Sequence, residues 1–135
     1  MARSRFILFV ILLVMVTAPW ASADVILDWN SIALDGIRQS GTSPPLASRA
    51  LAILHAAMFN AVNATDLTYN AYHSYQIGLP GSSAEAAAAQ AARDVLGALS
   101  IGYKSTLDAA LAASLASIPD GDAKANGIAL GHAVA

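Results

Sequence analysis

The sequence predicts an all-α fold, with about five helices between Asp24 and Ala135 forming a segment of a helical bundle. Three observations predict it. Apolar residues recur at three- and four-residue steps through most of this stretch. Helix starts are marked by Asp24, Pro44-Pro45 and Ser82-x-x-Glu85, and stops by Gly41, Gly102 and Pro119-Asp120-Gly121. Alanine supplies 27 of the 112 residues from Asp24 onward. It is the strongest helix former, but it buries little area per side chain.

Residues 1–23 read as an export signal rather than as part of the bundle. Arg3 and Arg5 precede an unbroken apolar run from Phe6 to Val16, and Ala21-Ser22-Ala23 follows. That is the charged, apolar and small-residue order of a secretory signal peptide. The apolar run is about half of the roughly 20 residues that a membrane span needs, so no stable anchor is expected. Cleavage is expected after Ala23, which makes the protein secreted or periplasmic and leaves a single domain over residues 24–135.

From Val25 to Gln39, the residues Ile26, Trp29, Ile32, Ala33 and Ile37 define an amphipathic first helix that Asp24 is placed to cap. Gly41, Thr42 and Ser43 end it, and Pro44-Pro45 prepares the next start. The second helix is predicted over Leu46–Asn63. Ala50, Leu54, Ala57 and Ala61 form one seam, with Ile53, Met58 and Val62 beside it. Thr65 to Gly81 lacks helical periodicity and carries Tyr69, Tyr72, His73 and Tyr75. It reads as an ordered loop whose aromatic rings pack on other elements.

Ser82-x-x-Glu85 matches a capping box for a third helix that runs to about Ser100. Its first half is nearly pure alanine. Leu107, Leu111, Leu115 and Ile118 give a fourth helix, Thr106–Ser117, one apolar ridge. Asp120 and Asp122 flank the next turn and are expected to cap a fifth helix. In that helix Ala123, Gly127, Gly131 and Ala135 fall every fourth residue. Each interior glycine costs about 1 kcal/mol relative to alanine, which is tolerable where another backbone packs closely on the stripe. The pattern is unfinished at Ala135, so the segment is expected to be truncated there.

Charge and composition exclude several function classes. Residues 24–135 carry five basic and nine acidic side chains, a net charge of −4, and the cations Arg38, Arg49, Arg93, Lys104 and Lys124 are scattered. Nucleic-acid binding needs them clustered. With no cysteine, there is no disulfide framework, lipoprotein anchor or thiolate metal site. No histidine or carboxylate pair has metal-ligand spacing, and neither a phosphate loop nor a nucleophile elbow is present.

Arg49 and His55 are six residues apart, or about 600° around a helix, so they point to different sides. His55 reads as a helix histidine bonded to a neighbouring element. Arg49 reads as an ion-pair partner for Asp66, Asp35 or a further segment. Asp24 and Asp28 suit a helix start. His73 and His132 read as ordinary surface or core residues. Asn63-Ala64-Thr65 fits a glycosylation sequon, and the three loop tyrosines can line a sugar or aromatic ligand or simply pack.

The order of these residues resembles the opening of a known family. Leu27-Asp28-Trp29-Asn30, Ala33-Leu34, Ile37-Arg38 and Pro44-Pro45 are followed by Ser48-Arg49-Ala50-Leu51-Ala52 and by His55 through Asn63. Ala91-Ala92-Arg93-Asp94-Val95-Leu96 and Gly127-Ile128-Ala129-Leu130-Gly131 continue the likeness. Together they are similar to secreted bacterial proteins related to vanadium-dependent haloperoxidases, in the type 2 phosphatidic acid phosphatase superfamily. The resemblance covers nearly all of residues 24–135. It implies a helical bundle whose complete form binds vanadate or phosphate through a lysine, arginines, a serine and backbone amides, with histidines at the metal or phosphorus and at the proton.

The family's oxyanion motifs are a lysine followed at a distance by Arg-Pro, then Pro-Ser-Gly-His, then Ser-Arg with a histidine six residues on. The first two are absent from this chain. Ser48-Arg49 with His55 imitates the third by spacing, but Phe59 stands where the family has aspartate. No catalytic, cofactor-binding or metal role is therefore carried onto Arg49 or His55. The resemblance implies an N-terminal helical fragment, inactive by itself, whose partner is the missing C-terminal catalytic half or another helical element. The alternative from the residues alone is a small exported helical binding or interaction protein.

Overall fold

The computed structural model describes residues 24–72 and 75–135; the signal-peptide reading of residues 1–23 and the reading of His73 lie outside them. Five helices follow in order: α1 (Val25–Ser40), α2 (Pro44–Asp66), α3 (Ala84–Ala98), α4 (Lys104–Ala116) and α5 (Asp122–Val134). The all-α prediction holds for the described residues.

The ends of the helices follow local chemistry. Asp24 accepts the Ile26 N–H at 2.9 Å and caps α1, and Gly41 closes it in the left-handed conformation at φ 63°. α2 begins two residues before the predicted start, because Pro44 and Pro45 themselves occupy the first turn. It also runs three residues past Asn63 to Asp66, since no glycine or proline stops it. Leu67 then takes the left-handed cap position at φ 56° and donates its N–H to the Asn63 carbonyl.

At α3 the sequence signal was one residue out of register. Ser83, not Ser82, is the N-cap, accepting the Ala86 N–H at 3.1 Å and donating to Glu85, while Ser82 closes the preceding turn on the Leu79 carbonyl. α4 starts at Lys104 and has only Leu107 fully buried; Leu111, Leu115 and Ile118 are half-buried, so the apolar ridge is only partly covered. Neither Asp120 nor Asp122 caps α5. Gly121 holds the cap position, Asp122 lies in the first turn, and Asp120 instead pairs with Lys124 at 2.9 Å.

α3 is the hub and contacts each of the other four helices. Ala86 through Ala92, including Gln90, are buried, so this alanine run is enclosed on every side. The enclosure works because the neighbours approach at backbone distance. A Cβ built on Gly131 would lie 2.5 Å from the Ala87 carbonyl oxygen and 2.7 Å from the Gln90 Cβ. One built on Gly127 would collide with the Ser83 carbonyl and lie 2.9 Å from the Ala86 Cβ. The glycine stripe of α5 therefore lies on α3, as its four-residue period predicts.

The bulkier core residues complete the packing. Trp29, Leu54, Met58, Leu96 and Leu107 are fully buried, and the predicted α2 seam of Ala50, Leu54, Ala57 and Ala61 faces inward. The Trp29 indole N–H donates to the Ser114 hydroxyl at 3.2 Å, tying α1 to α4. α2 is long and apolar enough to cross a membrane, yet its buried asparagines Asn60 and Asn63 are engaged with the following loop.

Candidate functional site

The two asparagines organise the part of the described residues that exposes the most large apolar side chains. Asn60 and Asn63 lie three residues apart on α2 and both are buried. The Asn63 side chain accepts the Tyr69 N–H and donates to the Tyr69 carbonyl, each at 2.7 Å. The Asn60 side-chain amide oxygen accepts the Tyr72 N–H at 2.9 Å, and Gly78 donates its N–H to the Ala64 backbone carbonyl at 2.8 Å. The loop is thus fixed to α2 through its backbone.

The side chains of that loop point the other way. Tyr72 and Tyr75 are 78% and 83% exposed, and Leu67, Tyr69, Ile77 and Leu79 are more than half exposed. The expectation that aromatic packing orders this loop is corrected: buried amides do so, leaving the rings free. Among the described residues, Tyr69 alone of the loop tyrosines stacks near another ring, that of Phe59, with ring centroids 6.3 Å apart. The same amides rule out the sequon, because Asn63 is 4% exposed and both of its amide atoms are bonded, so the folded chain offers it to no glycosyl transfer.

Arg49 and His55 are not brought together. His55 Nε2 meets the Asn30 side-chain oxygen at 3.0 Å, so this histidine bonds a neighbouring helix as expected. Arg49 is exposed and makes no ion pair with Asp66, Asp35 or any other described residue; Asp35 is taken by Arg38 at 2.7 Å.

A chain of charges links three other helices. Lys104 and Arg93 share Asp108, at 2.6 and 2.5 Å; Arg93 also reaches Asp94 at 3.1 Å, and Asp94 meets His132 Nδ1 at 2.5 Å. These contacts tie α3 to α4 and α5. Lys104 first, then Arg93, holds the Asp108 carboxyl below its ordinary range, and Asp108 and Asp94 raise Arg93. The sequence carried two hints of this chain: the four-residue spacing of Lys104 and Asp108, and the adjacent Arg93-Asp94 pair. The contact from His132 had none, because it spans separate helices.

Asp24 and Asp28 line a cleft of about 730 Å3 between α1 and α4, together with Glu85 and the hydroxyls of Ser31, Ser114 and Ser117. Two of its three carboxylates already serve helix starts, Asp24 on Ile26 and Glu85 on Ser83. No three His, Asp or Glu side chains among the described residues converge as metal ligands. Vanadate or phosphate would need converging cations and free donors. The two neighbouring cations, Arg93 and Lys104, are neutralised by Asp108 and Asp94, and Arg49 stands apart from both, so the described residues do not fit an oxyanion.

No known protein family, curated protein or solved structure matches the chain. The geometry that remains is an exposed face: the outer side of α2 with the braced tyrosine loop across its end.

Proposed function

We propose that this protein is an exported helical docking scaffold, the N-terminal helical portion of a protein related to the vanadium-dependent haloperoxidases and type 2 phosphatidic acid phosphatases. It holds other helices rather than performing chemistry. The observation that carries the docking reading is the exposed apolar face of α2 and its loop, whose backbone is fixed by Asn60 and Asn63 while its large side chains stay uncovered. Exposed patches of this kind mark sites of interaction. The family reading is supported by the sequence likeness across α1, α2, α3 and α5. In this reading vanadate or phosphate is bound by the C-terminal catalytic half, and export through the N-terminal signal places the protein in the periplasm or outside the cell.

The family reading is tested by sequencing the gene beyond the codon for Ala135. Continuation into a lysine, Arg-Pro and Pro-Ser-Gly-His is expected. A stop codon there, with residues 24–135 forming a cooperatively melting monomer, would overturn it. That outcome favours the second reading, a small exported binding protein, for which the braced but bare tyrosine loop is the specific evidence.

A further inference from the structure

Three steps of the chain join an acid or amide to glycine: Asp35-Gly36, Asp120-Gly121 and Asn126-Gly127. Such a step can close on itself, because glycine has no side chain to hinder attack by its own amide nitrogen on the preceding side-chain carbonyl. The attack needs that nitrogen free, and the fold leaves it free at one step. Gly36 lies inside α1 and Gly127 inside α5, so both nitrogens belong to the helical ladder. Both glycines are also pressed on neighbouring backbone. A Cβ on Gly36 would lie 3.0 Å from the Gly102 nitrogen, and one on Gly127 would collide with the Ser83 carbonyl. Asp120-Gly121 forms the turn before α5 instead. The Asp120 side chain is 97% exposed, a Cβ on Gly121 would have nothing within 4 Å, and the Gly121 N–H donates to no acceptor among the described residues.

We propose that Asp120-Gly121 is a self-modification site at which the folded protein converts aspartate to isoaspartate, and that Lys124 restrains the conversion. The inference is independent of the docking reading. The Gly121 nitrogen attacks Cγ of the protonated Asp120 carboxyl, the amide hydrogen and the carboxyl hydroxyl leave as water, and a cyclic imide closes. Water then opens the ring. Breaking the bond from nitrogen to Cγ restores aspartate, and breaking the bond to the former backbone carbonyl leaves the chain running through Cβ. The net change is an isomerisation without oxidant or cofactor. Lys124 opposes it from the first turns of α5: its Nζ donates to the Asp120 carboxylate at 2.9 Å and to the Ile118 carbonyl at 3.3 Å. That hydrogen bond holds the Asp120 carboxyl below its ordinary range, so the reactive protonated form is scarce. The product carries one more chain atom just before the Gly121 carbonyl, which accepts the Ala125 N–H at 3.1 Å and opens α5.

The test begins with Asp120→Asn in the full chain, which gives the turn the same dipeptide as Asn126-Gly127. One molecule then compares two backbones with identical chemistry. During incubation at neutral pH, peptide mapping by mass spectrometry should find the amide lost at position 120 and kept at Asn126, whereas in urea both are lost at similar rates. Equal loss at the two positions of the folded variant, or loss at Asn126 first, would overturn the proposal. The parent chain supplies the second arm. On ageing, cleavage before Asp120 by an aspartate-specific endoprotease should be lost, and a purified isoaspartyl methyltransferase should label that peptide and not the one holding Asp35. Lys124→Met, which keeps the apolar stem, should speed the labelling, and Lys124→Arg should keep the parent rate. No label at Asp120, label at Asp35, or a rate indifferent to Lys124→Met would each refute the assignment.

Discussion

α2 and α3 are both rich in small residues, and they lie in opposite circumstances. Ala86–Ala92 of α3 are enclosed by the other helices, two of whose contacts come through glycine at backbone distance. α2 buries its Ala50–Leu54–Ala57–Ala61 seam and leaves Ala52 and Phe59 bare. Alanine therefore has two different meanings here. On α3 it is a close-packing residue that admits no larger neighbour, and on α2 it is the floor of an open groove.

The strongest way to break that comparison is to place the same side chain in both helices. Ala88→Leu puts three extra carbons where no space exists, and about 3 kcal/mol or more of stability should be lost. Ala52→Leu adds the same carbons to an open surface, and the change should stay within about 0.5 kcal/mol. Urea denaturation followed by circular dichroism measures both. Equal losses would mean that the α2 face is packed in solution.

Asn63→Ala sharpens the comparison at the point where α2 does bury polar groups. It removes both bonds to the Tyr69 backbone and leaves those two groups without their partner, at a cost of about 1–3 kcal/mol. The damage should be local. Hydrogen exchange at Tyr69 and Tyr72 should accelerate while the amides of α3 stay protected; simultaneous loss in both regions would refute the account of a loop held locally by the α2 asparagines.

Gly131→Ala is smaller and instructive in sign. Helix propensity favours alanine by about 1 kcal/mol, but the new Cβ would meet the Ala87 carbonyl at 2.5 Å and the Ala91 nitrogen at 3.1 Å, neighbours that are backbone and cannot turn aside. Overpacking at about 1–3 kcal/mol outweighs the gain. Gly97→Ala, exposed and with only the Arg93 guanidinium at 4.0 Å, lacks that conflict and should stabilise by roughly 0.5–1 kcal/mol. Opposite signs in thermal melts are the expected result.

This pair also marks how far the sequence could be read. The helices, the inward seam of α2 and the close approach along Gly127 and Gly131 were legible because each rests on a local period. The Ser82/Ser83 register was not, since both serines satisfy the same start signal and only the turn at Leu79 decides between them. The aromatic loop misled for a physical reason. Its order comes from two asparagines that look like ordinary helix residues, so the tyrosines seemed to need burial that they do not have. The exposed face of α2 was hidden likewise, because Arg49, Ala52 and Phe59 are left outside only once the opposite side of the helix is known to be occupied.

The smallest expected effect concerns charge, which also divides the two helices. On the α3 side, the Asp108 carboxylate is stabilised by Lys104 and Arg93, so its folded-state value lies below the ordinary 3.8. The sign follows from linkage: the depressed acid contributes stability above its ordinary value, and that contribution is lost as pH falls through the folded-state value. Asp108→Asn should lower the melting temperature slightly at pH 7 and should flatten the decline below about pH 4, where the parent is losing this contribution. Arg49→Gln on α2 breaks no ion pair among the described residues and should leave the acid limb of the melting curve unchanged. A parent-like acid limb in Asp108→Asn would assign the decline to other carboxylates, whereas a flattened limb in Arg49→Gln would mean that the bare face of α2 already holds an acidic partner in solution.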